Sequence, residues 1–170
     1  MIEELGDWSL SPELHKYIRT VLPEGSTILE LGSGFGTSML SEYYTMYSVE
    51  HDEDFLDRYN TLYFYAPLKE HKAIKNHEGT VWYDADVLRP RLKGLEYDLL
   101  LVDGPPESRA GFLKYFDMFD PDAIIVFDDV NRRRDNAVMN SIAAKLDVPY
   151  VTYGAGSEKL FGVINDPCTR

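Results

Sequence analysis

A short apolar strand running into three closely spaced glycines constrains this chain more than any other feature. Thr27 to Leu31 reads as the strand, and Gly32-Ser33-Gly34-Phe35-Gly36 follows it directly. Glycines at alternate positions permit a tight turn and leave backbone bare enough for a ligand to lie against it. Thr37 to Tyr44 then starts a helix. The same rhythm of strand and helix continues. Met46 to Glu50 is a second strand, Glu53 to about Tyr65 a helix, Thr80 to Tyr83 a third strand and Tyr97 to Asp103 a fourth. Ala110 to Phe119 is helical, Ala123 to Asp128 a fifth strand, and Arg133 to Leu146 a helix. Strand alternating with helix implies a mostly parallel sheet covered on both faces, a three-layer α/β sandwich of Rossmann-like form. Ahead of it, Ser9 to Leu22 reads as a helix with Ser11 as N-cap and Pro12 at its first position.

The end of the chain breaks the rhythm. Pro149 to Tyr153 and Lys159 to Ile164 are strand-like, and only Gly154-Ala155-Gly156-Ser157-Glu158 separates them. A link that short cannot make a parallel crossover, so these two strands pair antiparallel. The expected sheet has seven strands in the order 3-2-1-4-5-7-6, ending in an antiparallel hairpin. No repeat and no linker divides the 170 residues, which read as one domain over 1–170.

Charge narrows the partners. A formal net charge of −12 would repel a phosphate backbone, and Arg132-Arg133-Arg134 is the only dense basic run. No nucleic-acid partner is expected, although those arginines and Arg109 could grip a small anionic acceptor. Cys168 is the only cysteine, so no internal disulfide forms. The longest apolar runs, Leu99 to Val102 and Ala123 to Phe127, are too short to cross a bilayer, and no signal-peptide pattern is visible. The expectation is a soluble cytoplasmic protein with no membrane partner. A domain this small could complete its pocket with a second subunit, so a homo-oligomer stays open.

Two acids give the glycine turn its meaning. Glu30 stands just before the first glycine, where it would repel a pyrophosphate but attract an ammonium. Glu50 ends the second strand, eighteen residues after Gly32, where a carboxylate can accept ribose hydroxyls. Ile28-Leu29-Glu30-Leu31-Gly32-Ser33-Gly34 resembles motif I of the class I S-adenosylmethionine-dependent methyltransferases, and Tyr47-Ser48-Val49-Glu50-His51-Asp52 resembles their motif II. The resemblance implies S-adenosylmethionine as cofactor. Glu30, Gly32, Ser33, Gly34 and Gly36 would hold its methionine end, and Glu50 its ribose with His51 beside it. Asp84-Ala85-Asp86 follows the third strand, where the family places a group near the adenine; either acid could serve. A dinucleotide site would want Gly or Ala at position 37, and this chain has Thr37. The competing readings are an NAD(P)-dependent oxidoreductase and a non-catalytic S-adenosylmethionine-binding module.

Catalytic candidates follow from strand ends, because ligands of open α/β sheets bind beside the carboxyl ends of the strands. Asp103 ends the fourth strand, and Asp128 and Asp129 end the fifth. Asp103 is the first candidate for a general base and also adjoins the cofactor. Clustered carboxylates suit Mg²⁺ as well. The placement resembles that of catechol-type O-methyltransferases, whose strand-five pair is Asp-Asn where this chain has Asp128-Asp129. Val102-Asp103-Gly104-Pro105 and Asp128-Asp129-Val130-Asn131-Arg132 resemble methyltransferases acting on sugars, among them the glucuronoxylan O-methyltransferases. A small-molecule or sugar acceptor methylated on oxygen is therefore expected. Trp8 could close over the site as a lid, or simply anchor the segment.

Overall fold

The computed structural model describes residues 10–169. It contains a seven-stranded sheet, a two-stranded sheet and five α-helices. Helix α1 (Pro12–Val21) begins as expected: Ser11 Oγ accepts from the Leu14 N–H at 3.2 Å, and Pro12 stands where its missing N–H costs nothing. Strand β1 (Thr27–Leu31) leads into α2 (Phe35–Leu40), and β2 (Thr45–Glu50) follows. Next come β3 (Leu62–Tyr65), β4 (Leu68–Glu70), β5 (Val81–Tyr83) and α3 (Ala85–Leu92). Strand β6 (Leu99–Val102), α4 (Ala110–Lys114), β7 (Ile124–Phe127), α5 (Arg133–Leu146), β8 (Tyr150–Tyr153) and β9 (Phe161–Ile164) complete the fold.

The main sheet runs β3-β2-β1-β6-β7-β9-β8. Pairings from β3 to β7 are parallel, whereas β9 is antiparallel to both β7 and β8. This is the expected order, with one substitution of identity at the edge. The strand beside β2 is Leu62–Tyr65, and Val81–Tyr83 instead pairs antiparallel with Leu68–Glu70 in the small sheet. The helix expected over Glu53 to Tyr65 is absent; only a 3₁₀ turn forms at Glu53–Phe55. Asp57 takes the left-handed conformation (φ 60°), which stops a helix. The Leu-Tyr-Phe-Tyr run beyond it is richer in strand formers than in helix formers. Helix α3 has no counterpart among the elements expected from the sequence; Asp84 caps it by accepting from the Asp86 N–H at 3.0 Å.

The alternation of strand residues builds two cores. Leu29, Leu31, Leu100, Val102 and Phe127 face α3, α4 and α5, whose Leu88, Phe112, Val138 and Ile142 bury against them. Ile28, Met46, Leu99, Leu101 and Val126 face α1 and α2, meeting Leu14, Ile18 and Leu40. Side chains buried this completely contribute roughly 1.5–3 kcal/mol each. At the far edge, Asp166 ties the ends of the fold together. Its Oδ1 accepts from the Tyr17 hydroxyl at 2.8 Å and from the Cys168 N–H at 3.0 Å, and its Oδ2 accepts from the Tyr153 hydroxyl. Cys168 is a free, exposed thiol. No helix among the described residues is long and apolar enough to cross a membrane.

Candidate active site

Parallel pairing puts the carboxyl ends of β1, β2, β6 and β7 along one rim, and the site is built there. The turn after β1 begins at Gly32, with φ at 89°, where an L side chain is strained. A Cβ there would also stand 3.3 Å from Gly104 Cα and N in the turn after β6. Two buried carboxylates hold this turn from behind. Glu30 Oε1 accepts from the hydroxyls of Thr37 (2.6 Å) and Ser48, while Thr37 Oγ1 accepts from the Gly34 N–H at 3.0 Å. Burial pushes the Glu30 carboxyl up to about 8, against the lowering effect of the Ser48 and Thr37 hydroxyls. Sequence reasoning missed Thr37 and Ser48 as parts of the site; a hydroxyl at 37, where a dinucleotide turn wants Gly or Ala, was the available signal.

Glu50 is saturated. Its Oε2 accepts from Ser33 N–H (3.0 Å) and Oγ–H (2.7 Å), and its Oε1 from the N–H groups of His51 (2.8 Å) and Asp52 (3.0 Å). His51 Nδ1 stands 3.1 Å from Oε1. Burial alone would raise this carboxyl, but these hydrogen bonds overcome it and hold the group down at about 2. Glu50 is therefore ionised near neutrality and stitches the glycine turn to the end of β2.

A cavity of about 470 Å³ opens over this turn. Gly32, Ser33, Gly34 and Glu50 line one side, Phe35, Phe55 and Tyr59 give it an apolar wall, and Asp103, Gly104, Asp129 and Arg132 line the other. Its size falls within the range of small-molecule sites, and apolar walls with a few converging polar groups are their usual make-up. His51 joins it to a second cavity of about 480 Å³ beside Thr80, Pro105, Ser108 and Arg134.

Three carboxylates meet across the ends of β6 and β7. Asp103, Asp128 and Asp129 each offer an oxygen within 4.8 Å of the others'. Asp103 is partly exposed to the cavity, Asp128 is buried below it, and Asp129 sits in the left-handed region at φ 56°. Burial raises the Asp103 carboxyl, opposed by Arg109, and raises Asp128 to about 7, reinforced by Asp103 and Asp129. Arg109 lies under the cluster and is 4% exposed. Its Nη1 donates to the Asp128 carbonyl (2.5 Å) and its Nη2 to the Asp103 carbonyl (2.6 Å). Asp129 stands 3.6 Å from Nη2 and Asp135 3.9 Å from Nε. Arg109 also lines the cavity, with Nη1 and Nη2 each engaged by a main-chain carbonyl of the chain. Arg132 Nη1 pairs with Asp129 at 3.1 Å on the cavity rim. Arg133 is exposed.

Several expected site residues lie elsewhere. Asp84, Ala85 and Asp86 open α3 and line neither cavity; Lys69 Nζ reaches Asp84 at 3.3 Å and Asp86 at 2.8 Å. Gly36 is bare for packing, because a Cβ there would stand 2.5 Å from Leu10 Cγ. The Gly36→Ala variant should therefore lose about 1–3 kcal/mol through overpacking, with faster amide exchange over residues 10–14. Unchanged exchange there would mean that Leu10 moves aside freely. Trp8 lies outside the described residues.

No family model matches the sequence, and no curated protein matches it by sequence. Solved structures do match. MycE methyltransferase from the mycinamycin biosynthetic pathway, in complex with Mg and SAH, superposes with TM-score 0.55 at 17% identity, covering 92% of this chain and 46% of its own. This chain thus spans about half of MycE. A second MycE structure, also holding mycinamycin VI, gives TM-score 0.54 at 18% identity, with 92% and 46% covered. An rRNA methylase from Streptococcus thermophilus gives TM-score 0.54 at 10% identity, covering 89% of this chain and 92% of that one. Sheet order, terminal hairpin and these superpositions agree, and the chain has the Rossmann-like fold of the class I S-adenosylmethionine-dependent methyltransferases.

Proposed function

We propose that the protein transfers a methyl group from S-adenosylmethionine to an oxygen of a small molecule or sugar. One observation carries the reading: a single cavity has the Glu50-stitched glycine turn on one side and Asp103 with Asp129 on the other. The donor set fits the cofactor, since an ionised carboxylate beside an apolar wall suits a nucleoside. It suits a pyrophosphate less well, because the glycine turn itself is flanked by Glu50 and Asp52, although the cations Arg109, Arg132 and Lys159 also line the cavity. Net charge of −12 favours a small acceptor over RNA.

In this reading Gly32, Ser33 and Gly34 provide backbone for the cofactor to lie against, and Glu50 takes its ribose. S-adenosylmethionine, when bound, supplies a methyl carbon on positively charged sulfur and leaves as S-adenosylhomocysteine (SAH). Asp103 orients the acceptor hydroxyl and accepts its proton as the carbon–oxygen bond forms. Burial, which raises its carboxyl, makes it a stronger proton acceptor than an exposed aspartate. Phe35, Phe55 and Tyr59 exclude water from the reacting atoms. Three hard oxygen donors within 4.8 Å of one another also fit Mg²⁺. In that arrangement Asp103, Asp128 and Asp129 would hold the ion, which would make the acceptor hydroxyl more acidic, and Asp103 would then position the ion instead of taking the proton. MycE, similar in fold, has a structure that holds Mg and SAH, which supports including a metal in this reading.

Calorimetric titration of SAH into the protein tests the proposal. Micromolar binding with a matching rise in thermal midpoint is the expected result, corresponding to about 8 kcal/mol. No heat at several temperatures and no thermal shift would overturn it, and stabilisation by NADH instead would point to the oxidoreductase reading.

A further inference from the structure

The second cavity, of about 480 Å³, adjoins the first at His51 and Pro106, which line both. Neither the glycine turn nor Glu50 lines it, so it stands apart from the groups that hold the cofactor's methionine and ribose. Leu68, Val81, Pro105 and Pro106 give it apolar walls, and Arg134, second residue of α5, brings a charge. That side chain is partly buried, yet among the described residues it has no hydrogen bond and no ion pair. Nearby arginines are engaged differently. Arg109 donates to two carbonyls, and Arg132 pairs with Asp129 at 3.1 Å. Asp135 follows Arg134 in the chain, but its carboxylate stands against Arg109 Nε at 3.9 Å. A cation kept partly from water without a counter-charge is costly, and a bound anion would relieve that cost. The planar guanidinium fork matches a carboxylate or phosphate. Thr80, also in the lining, adds a hydroxyl that makes no hydrogen bond among the described residues. Glu107 is the one carboxylate in the lining; it is exposed, so water and salt screen it.

Resting on the methyltransferase reading of the first cavity, we infer that the second cavity is an acceptor subsite, in which Arg134 binds a carboxylate or phosphate group of the methyl acceptor. The acceptor hydroxyl then lies at Asp103, and the anionic end passes Pro106 to reach Arg134. Asp103 and Pro106 stand three positions apart in the turn after β6, which puts the mouth of the subsite within about 11 Å of Asp103. One small molecule can span that length.

The test titrates SAH-saturated wild type and Arg134→Gln with inorganic phosphate, galacturonate and its neutral parent galactose, followed by amide shifts at constant ionic strength. Expected in the wild type are saturable shifts at Gly79, Thr80 and Ser108 with both anions and none with galactose. Arg134→Gln should weaken both anions by about tenfold or more, the worth of charged hydrogen bonds, and leave SAH affinity unchanged. Arg134→Lys, which keeps the charge should the Gln variant not fold, should still weaken them, because an ammonium lacks the fork. No saturable shift with either anion, equal anion affinity in wild type and variants, or equal binding of galactose would overturn the inference. Weaker SAH binding by Arg134→Gln would overturn it as well, by assigning the cavity to the cofactor. Binding of phosphate but not galacturonate would reveal a free-phosphate site and overturn the acceptor assignment. If the wild type binds the anions but not SAH, the methyltransferase reading fails and the acceptor assignment falls with it.

Discussion

Replacing Arg109 with methionine should destabilise the folded protein by about 3–5 kcal/mol, read as a lowered urea midpoint at unchanged m-value. The guanidinium is buried, donates to the main-chain carbonyls of Asp103 and Asp128, and faces the carboxylates of Asp129 and Asp135. Methionine fills much of the volume but leaves two carbonyls without their donor and the buried acids without their cation. A loss of this size is a large share of the roughly 5–15 kcal/mol that holds an ordinary domain together. Arg109→Lys should recover only part of it, since an ammonium cannot reproduce a planar fork reaching two carbonyls at once. A Met variant within 1 kcal/mol of the wild type would mean that the β6 and β7 turns hold their own geometry and that the acids shed their charge instead.

The second large effect is expected at Glu50. The Glu50→Ala variant should bind SAH about 10- to 150-fold more weakly, the cost of removing charged hydrogen bonds worth about 1.5–3 kcal/mol. Part of the loss is indirect, because Ser33, His51 and Asp52 lose the carboxylate that fixes their N–H groups. The same residue should mark the acid limb of stability. Its folded pKa of about 2 lies below the ordinary glutamate value of 4.5, so as pH falls the unfolded chain takes up the proton first. Its contribution, about 3 kcal/mol by linkage at 1.36 kcal/mol per unit, is fully present above pH 4.5 and fades as pH drops toward 2. The stability gap between wild type and Glu50→Ala should therefore be widest near neutral pH and narrow steadily below 4.5. A gap that stays constant down to pH 2 would show that the carboxylate is not held by these donors.

The parts of the fold that could be read from the sequence are those where several local signals agreed. Apolar runs flanked by turn residues gave β1, β2, β6 and β7, and the five-residue link after Tyr153 gave the antiparallel ending. The edge strand escaped because Phe55, Leu56, Tyr59 and Leu62 also suit a helical stripe, and a left-handed Asp57 is invisible to periodicity. Once Leu62–Tyr65 occupied the place beside β2, Val81–Tyr83 had to pair elsewhere, and Asp84 and Asp86 moved with it to the start of α3. Within the site, Glu50 and the Asp103, Asp128 and Asp129 cluster were legible because each ends a strand in a known register. Arg109's place under the cluster was not. It depends on which buried atoms lie opposite, and that is decided by the packing of α4.

The position of β9 has a consequence for how the protein is made. This strand lies between β7 and β8, although it follows both in the chain, and the Tyr17–Asp166 pair closes across 149 positions. A ribosome must therefore release residue 164 before the sheet can close and residue 166 before α1 is latched. Until then β7, apolar at all four of its positions, presents an open edge to any passing strand. So many long-range contacts also slow the final closure. Yield in a cell should thus depend on elongation rate and on chaperones that occupy nascent chains, even if the finished protein is stable.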